Sequence, residues 1–294
     1  MAYSYELCVF TPTYNRAYCL SDLFDSLCCQ TAMQFEWLIV DDGSTDNTKE
    51  LVESFKATSP FPITYIWQSN GGKQRAFNTG VQNCNSELFM CVDSDDTVPA
   101  DMVISVLEKW RSVRNNPEVA GVIGMDGKDA TTPLQSSIPK DLQYTTIWDL
   151  YYKHHHKGDT AQAHRKEILA RFPFYVAPNE KFIAETSVFH QIDQHYKLAV
   201  IPKILIIANY RADGYTANAR KVARENPIGY VKHKRMLVEY ADTWGRRFYE
   251  TILYMVGCNF AGRDHAILDA PYRLLAAAAW LPAQILCHTI YRSK

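Results

Sequence analysis

Residues 7–48 run LCVFTPTYNRAYCLSDLFDSLCCQTAMQFEWLIVDDGSTDNT, and the reading of this stretch decides the fold class. Leu7–Phe10 and Trp37–Val40 are short apolar runs, ending respectively in Thr11-Pro12-Thr13 and Asp41-Asp42-Gly43-Ser44. Apolar runs of that length, closed by turn residues, read as buried strands. Between them Leu20, Leu23, Phe24 and Leu27 recur at steps of three and four, the stripe of a helix covering one sheet face. Strand, helix, strand is a βαβ unit.

The alternation continues outward. Asn47-x-x-Glu50 predicts a capping box opening a helix marked by Leu51, Val52 and Phe55, and Ile63–Trp67 reads as the next strand. Gly72–Gln82 is helix-like and Leu88–Val92 strand-like. Val103, Val106, Leu107 and Trp110 mark another helix before a strand at Val119–Ile123. The rhythm predicts an α/β, Rossmann-like fold with a mainly parallel sheet flanked by helices. From about Asp126 to Gln143 neither period persists, and an irregular connection is expected. Leu198–Ile201 and Ile204–Ile207 read as two strands before a loop at Tyr210–Asn218, and a helical extension follows to the end. The expected division is 1–125 for nucleotide binding, 126–220 for the acceptor side of the same domain, and 221–294 for the helical C-terminal region.

Lys+Arg 31 against Asp+Glu 32 gives a formal charge of -1, so no broad positive field makes nucleic acid a partner. Any phosphate site must be local. The eight cysteines include no C-x-x-C pair, and reduced thiols in a cytosol fit them. The N-terminus enters a strand at once, with no basic region and long apolar run of a signal peptide, and no N-x-S/T sequon occurs. A cytoplasmic location is expected.

Ligands of an open parallel sheet gather at the carboxyl ends of its strands. Three polar clusters lie there: Thr11 to Arg16, Asp41 to Asp46, and Asp93-Ser94-Asp95-Asp96. Two carboxylates one residue apart, just past a strand, suit a hard divalent cation that also binds a diphosphate. Such a cation offsets charge developing on a leaving diphosphate.

VFTPTYNR (9–16), LIVDDGSTDNT (38–48) and FMCVDSDD (89–96), in that order, together resemble glycosyltransferase family 2, inverting enzymes of GT-A fold found in bacterial surface-polysaccharide assembly. Gly71-Gly72-Lys73, continuing through Arg75, Asn78 and Gly80, resembles the family's helix-opening segment. The resemblance covers about residues 5–210. It implies a nucleotide sugar as donor, UDP-linked in most of the family, and Mn2+ or Mg2+ held by Asp93 and Asp95. It places the nucleobase and ribose beside Pro12, Tyr14 and Asp42, with Asp42 accepting from the base. Arg16 and Ser94 belong to the same donor-binding motifs, and Lys73 and Arg75 stand where a cation meets the diphosphate. Asp41 is expected to cap its own turn.

Inverting transfer needs a base to take the acceptor's proton. The family usually supplies an Asp from an E-D pair; here Ala184-Glu185 replaces that pair, so the resemblance implies Glu185 as base, with Glu180 the alternative. His164-Arg165-Lys166 resembles the preceding segment, which implies a turn lining the acceptor cavity. Tyr210-Arg211-Ala212-Asp213-Gly214-Tyr215-Thr216 reads equally as a lid or an exposed turn. His154-His155-His156 reads as a solvated basic loop, since consecutive residues in regular structure do not all face one ion, and Trp148, Tyr151 and Tyr152 read as core.

From Leu274 to Tyr291 no side chain is formally charged, yet Pro282, Gln284, His288 and Thr289 interrupt the run. An interfacial helix is expected rather than a span, with Lys221, Arg224, Lys232, Lys234, Arg235, Arg246 and Arg247 supplying positive charge for an anionic leaflet. The expected setting is the cytoplasmic face of the inner membrane, and the expected acceptor a glycan, free or linked to polyprenyl diphosphate. Two other functions remain open: a sugar nucleotidyltransferase, whose Gly-rich phosphate loop is missing here, and a non-catalytic binding protein, which the altered Ala184-Glu185 pair allows.

Overall fold

The computed structural model describes residues 3–209 and 218–291. The chain forms two compact units, Met1–Phe174 with Val188–Arg211, and Tyr175–Ser187 with Ala212–Lys294. Tyr210–Thr216, the lid or turn, lies outside the described residues.

The first unit opens with β1 (Tyr5–Thr13), α1 (Leu20–Cys28), β2 (Phe35–Asp41), α2 (Thr48–Thr58), β3 (Ile63–Trp67), α3 (Lys73–Asn83), β4 (Ser86–Cys91), α4 (Met102–Val113) and β5 (Val119–Gly127). The stripe Leu20, Leu23, Phe24, Leu27 is buried, and Phe24 stacks on Phe55 of α2 with ring centroids 4.2 Å apart. The predicted capping box does not form. Asp46 Oδ1 instead accepts from the Thr48 amide at 3.1 Å and from its hydroxyl at 2.6 Å, while Asn47 gives no side-chain cap.

After β5 come β6 (Tyr144–Thr145), α5 (Ile147–Tyr152), β7 (Thr160–Arg165), α6 (Lys166–Leu169), α7 (Thr186–Asp193) and β8 (Lys197–Ile207). Among the described residues the strands form one sheet in the order β3-β2-β1-β4-β7-β5-β8-β6. Pairing is parallel from β3 through β4. The sheet turns mixed beyond it, because β7 inserts antiparallel between β4 and β5 and β6 pairs antiparallel with β8. The two apolar runs read as separate strands are one strand, β8. Pro202 and Lys203 are exposed at a register shift, where proline lacks the ladder donor.

Gly80 is where α3 meets the sheet: an added Cβ would stand 2.5 Å from the Phe10 ring. That ring stacks on Phe89 at 4.8 Å and meets Phe77 edge-on, so it has nowhere to move. Gly80→Ala is therefore expected to lower the first unit's stability by about 1–2 kcal/mol, overpacking outweighing the gain in helix propensity. Urea denaturation followed by circular dichroism checks it.

The second unit holds α8 (Ala219–Glu225), α9 (Pro227–Tyr240), α10 (Trp244–Phe260) and α11 (Arg273–His288). Pro227 opens α9 where its missing N–H costs nothing, and Thr243 Oγ1 caps α10 by accepting from the Arg246 amide. Val231, Val238, Tyr254, Val256, Ala276, Ala279 and Ala283 make the core of this unit.

Candidate active site

The first two loops are sewn together. Asn15, at φ +52°, donates its amide to Ser44 Oγ at 2.8 Å and accepts from the Thr45 amide through Oδ1 at 2.8 Å. The Ala17 amide reaches Asp46 Oδ2 at 3.1 Å. Pro12 is buried in β1 opposite Val40, while Tyr14 just beyond the strand is 48% exposed. Asp41 is buried and holds its own turn, accepting from the Ser44 amide at 2.7 Å and from the Tyr65 hydroxyl at 2.6 Å.

Asp42, also buried, reaches the third segment. Its carboxylate accepts from Gln68 Nε2 at 2.7 Å, the Gly71 amide at 2.9 Å and the Gly72 amide at 2.7 Å. A carboxylate accepts about four hydrogen bonds, so the turn opening α3 takes most of them and leaves room for one more. Gly43 sits at φ +88° with the Asn70 amide nitrogen 2.9 Å from where a Cβ would stand, which restricts the position to glycine. Gly72, at φ +96°, is the residue before α3.

Lys73, the first residue of α3, places Nζ 2.7 Å from Asp93 Oδ1 and 2.8 Å from Oδ2. Arg16 Nη1 lies 3.9 Å from Asp95 Oδ2 and donates to the Tyr18 hydroxyl. Arg75 turns back, Nη1 donating to the Gly71 carbonyl at 2.6 Å. Ser94 is buried, and its carbonyl accepts from Cys19 Sγ at 3.6 Å. Thr97 bridges Ile207 and the Asn209 amide donates to Asp96 Oδ1 at 2.9 Å, which pins the acidic loop to the end of β8. Burial, with the neighbouring Asp93 charge second, pushes the Asp96 carboxyl up to about 7. The folded unit thus holds that proton more tightly than the unfolded chain, and stability drains away as pH rises from the ordinary carboxyl range towards that value.

Four segments distant in sequence therefore meet at the carboxyl ends of β1, β2 and β4. They bring Arg16, Asp42, Lys73, Arg75, Asp93, Ser94 and Asp95 into one neighbourhood. Asp93 and Asp95 offer hard oxygen donors whose charge is answered here by an ammonium and a guanidinium. That donor set fits Mn2+ or Mg2+. Two polar side chains in this region escaped sequence reasoning. Thr13 Oγ1, at the end of β1, and both amide atoms of Gln74, in the first turn of α3, are buried without a protein partner. Buried polar atoms of that kind are where a bound ligand or ordered water is needed. The only sequence signal was Gln74's place between Lys73 and Arg75.

Glu180 and Glu185 belong to the second unit, and their surroundings separate them. Glu180 is buried and caps α9, accepting from the Ile228 amide at 2.6 Å and the Gly229 amide at 2.7 Å. That carboxylate is committed to structure. Glu185 directly precedes α7 and is half-buried.

Arg165 does not line the carboxyl-end crevice. Because β7 runs antiparallel, Arg165 pairs with Leu88, near the start of β4, and its guanidinium donates to the Val119, Arg114 and Asn116 carbonyls while lying over Trp110. His156 departs from the solvated-loop expectation. It is buried, with Nδ1 3.0 Å from Ser136 Oγ and its ring edge-on to Tyr151, and burial lowers its pKa. Trp148 is buried beside Tyr152 and His190.

The model of glycosyl transferase family 2 matches residues 8–172. Over 111 residues, 38% of this chain, the sequence is 30% identical to poly-β-1,6-N-acetyl-D-glucosamine synthase of Staphylococcus epidermidis, of which the match covers 26%. The chain spans well under half the length of the curated relatives it matches. Among solved structures it resembles Staphylococcus aureus TarS 1–349 in complex with UDP-GlcNAc, with TM-score 0.59 and 16% identity over 95% of this chain and 79% of that one. It likewise resembles the mannosyltransferase PcManGT of Pyrobaculum calidifontis in complex with GDP-Man and Mn2+, with TM-score 0.58 and 18% identity over 99% and 86% of the two chains. At such identities the structural likeness establishes the fold.

Proposed function

Because the chain belongs to glycosyl transferase family 2, we propose that it moves a sugar from a nucleotide sugar, UDP-linked by preference, to a hydroxyl of a glycan or polyprenyl-diphosphate-linked glycan in bacterial polysaccharide assembly. The observation that carries the reading is the meeting of four loops around Asp93 and Asp95, with Lys73 and Arg16 as their cationic neighbours. Relatives and neighbours that make poly-N-acetylglucosamine or hold UDP-GlcNAc, GDP-Man and Mn2+ support it.

Asp93 and Asp95 would hold the divalent ion, which when bound stabilises charge on the departing diphosphate. Lys73 and Arg75 open α3, whose N-terminus favours anionic phosphate oxygens, and Lys73 turns from Asp93 to the diphosphate as the carboxylates take up their ligand. Pro12, Tyr14 and the remaining acceptor position of Asp42 receive the nucleoside. Thr13 and Gln74 supply polar contacts that the protein alone leaves unmade. Glu185 takes the proton of the acceptor hydroxyl as that oxygen attacks the anomeric carbon. The bond to the diphosphate breaks with its electron pair on the leaving oxygen, so a single displacement inverts the configuration.

A thermal-unfolding screen of UDP-, GDP- and dTDP-sugars, each with and without Mn2+ or Mg2+, tests the reading. One donor is expected to raise Tm by several degrees with the cation and little without it, as mass action requires of a ligand bound well above its Kd. No shift with any donor, in either cation, refutes it.

A further inference from the structure

Helix α11 is arranged inside out. Its inward stripe is Ala276, Ala279 and Ala283, all fully buried against the core of the second unit. Of its larger apolar side chains Leu286 packs against that core, but three others point the other way: Leu274 is 90% exposed, Leu281 60% and Ile285 55%, with Trp280 on the flank at 48%. At about 100° per residue, Leu274, Leu281 and Ile285 fall within roughly 40° of one line on the side away from the alanines. A helix serving only its own core turns its large apolar residues inward. The reversal leaves a contiguous apolar strip on the surface, the mark of a surface that meets something else.

Three observations identify what meets it. The second unit, Tyr175–Ser187 with Ala212–Lys294, contains 13 Lys/Arg against 9 Asp/Glu, a net of +4 in a chain whose total is -1. A unit of net positive charge that carries an apolar strip complements an anionic lipid surface. Pro282 stands inside α11 and removes the donor for the carbonyl of Ala278, which is exposed beside the strip. That carbonyl needs water, which the headgroup layer provides and the hydrocarbon interior does not. Among the described residues no helix is long and apolar enough to cross a membrane, so a helix of this kind lies in the interface plane.

We propose that the outer face of α11 docks on an anionic bilayer, with Leu274, Leu281 and Ile285 at the acyl boundary and Trp280 and Arg273 at headgroup level. The inference rests on the functional reading above for its purpose, bringing the enzyme to a lipid-linked acceptor, and its physical basis is separate. The test is co-sedimentation of the full chain with vesicles of phosphatidylcholine, with and without one-third phosphatidylglycerol. The wild type is expected to bind the anionic vesicles, more weakly at high salt, with a blue shift of tryptophan emission that Trp280→Phe removes. Leu281→Ser with Ile285→Ser is expected to weaken binding more than tenfold while keeping the circular dichroism and nucleotide-sugar affinity of the parent. Should that pair fail to fold, Leu274→Ser, the most exposed position, gives a smaller loss in the same direction.

Wild-type binding that the serines leave unchanged overturns the docking face, as does a wild type that ignores anionic vesicles. A chain that dimerises in sedimentation without lipid, and is made monomeric by the serines, assigns the strip to a second copy and overturns it as well. Vesicle binding that fails while donor binding persists sinks only the docking; donor binding that fails while vesicle binding persists sinks only the transferase reading.

Discussion

Asp95→Asn is expected to lower sugar transfer by about 10²–10³-fold, and Asp93→Asn by as much, because in the proposed mechanism each would remove half of the charge holding the cation against the donor's phosphates. Neither change alters side-chain volume appreciably, so folding is retained. The readout that isolates the cause is titration calorimetry of Mn2+ with UDP. In the wild type each ligand should tighten the other, since linkage is reciprocal, and in either variant that mutual enhancement should fall towards nothing. Asp93 also faces Lys73 at 2.7 Å, so its replacement changes cation-free nucleotide binding as well, whereas Asp95, with Arg16 at 3.9 Å, leaves that baseline closer to the wild type. Variants that transfer normally and keep the mutual enhancement would remove the acidic loop from the mechanism.

Glu185→Gln carries the second large effect. Loss of the proposed base is expected to reduce kcat by about 10²–10⁴-fold with donor affinity unchanged, since the amide keeps the shape of the side chain and cannot take a proton. Single-turnover transfer at saturating donor is the measurement, and near-normal turnover rejects the assignment. Glu180→Gln provides the contrast. It weakens the cap on the Ile228 and Gly229 amides and is expected to cost about 1–3 kcal/mol of second-unit stability, seen in urea denaturation, without a selective loss of chemistry. Equal kinetic damage from both substitutions would mean that the 180–185 segment acts only through folding.

The sequence by itself determined the strand-helix rhythm from Leu7 to Ile123, because there the strands are apolar runs and most of the covering helices carry a three-four stripe. It also placed the clusters at Thr11–Arg16, Asp41–Asp46 and Asp93–Asp96 at strand ends, since a parallel sheet aligns those ends on one side. Tertiary structure decided the rest. Thr160–Arg165 carries no apolar run, yet it becomes a central strand because Gly121 lets its backbone approach: a Cβ there would stand 2.0 Å from the Ala163 carbonyl. Burial among those strands drives His164 down to about 4, so it sits neutral in the core, stacked on Phe189. The same distinction runs through the site. Spacing put Lys73, Asp42 and Asp93 in three separate motifs, while only folding showed that Asp42 holds the turn from which Lys73 reaches Asp93. Local pattern fixes which face a residue presents, but which distant partner it meets there depends on how the packed elements close over one another, and adjacent residues do not encode that.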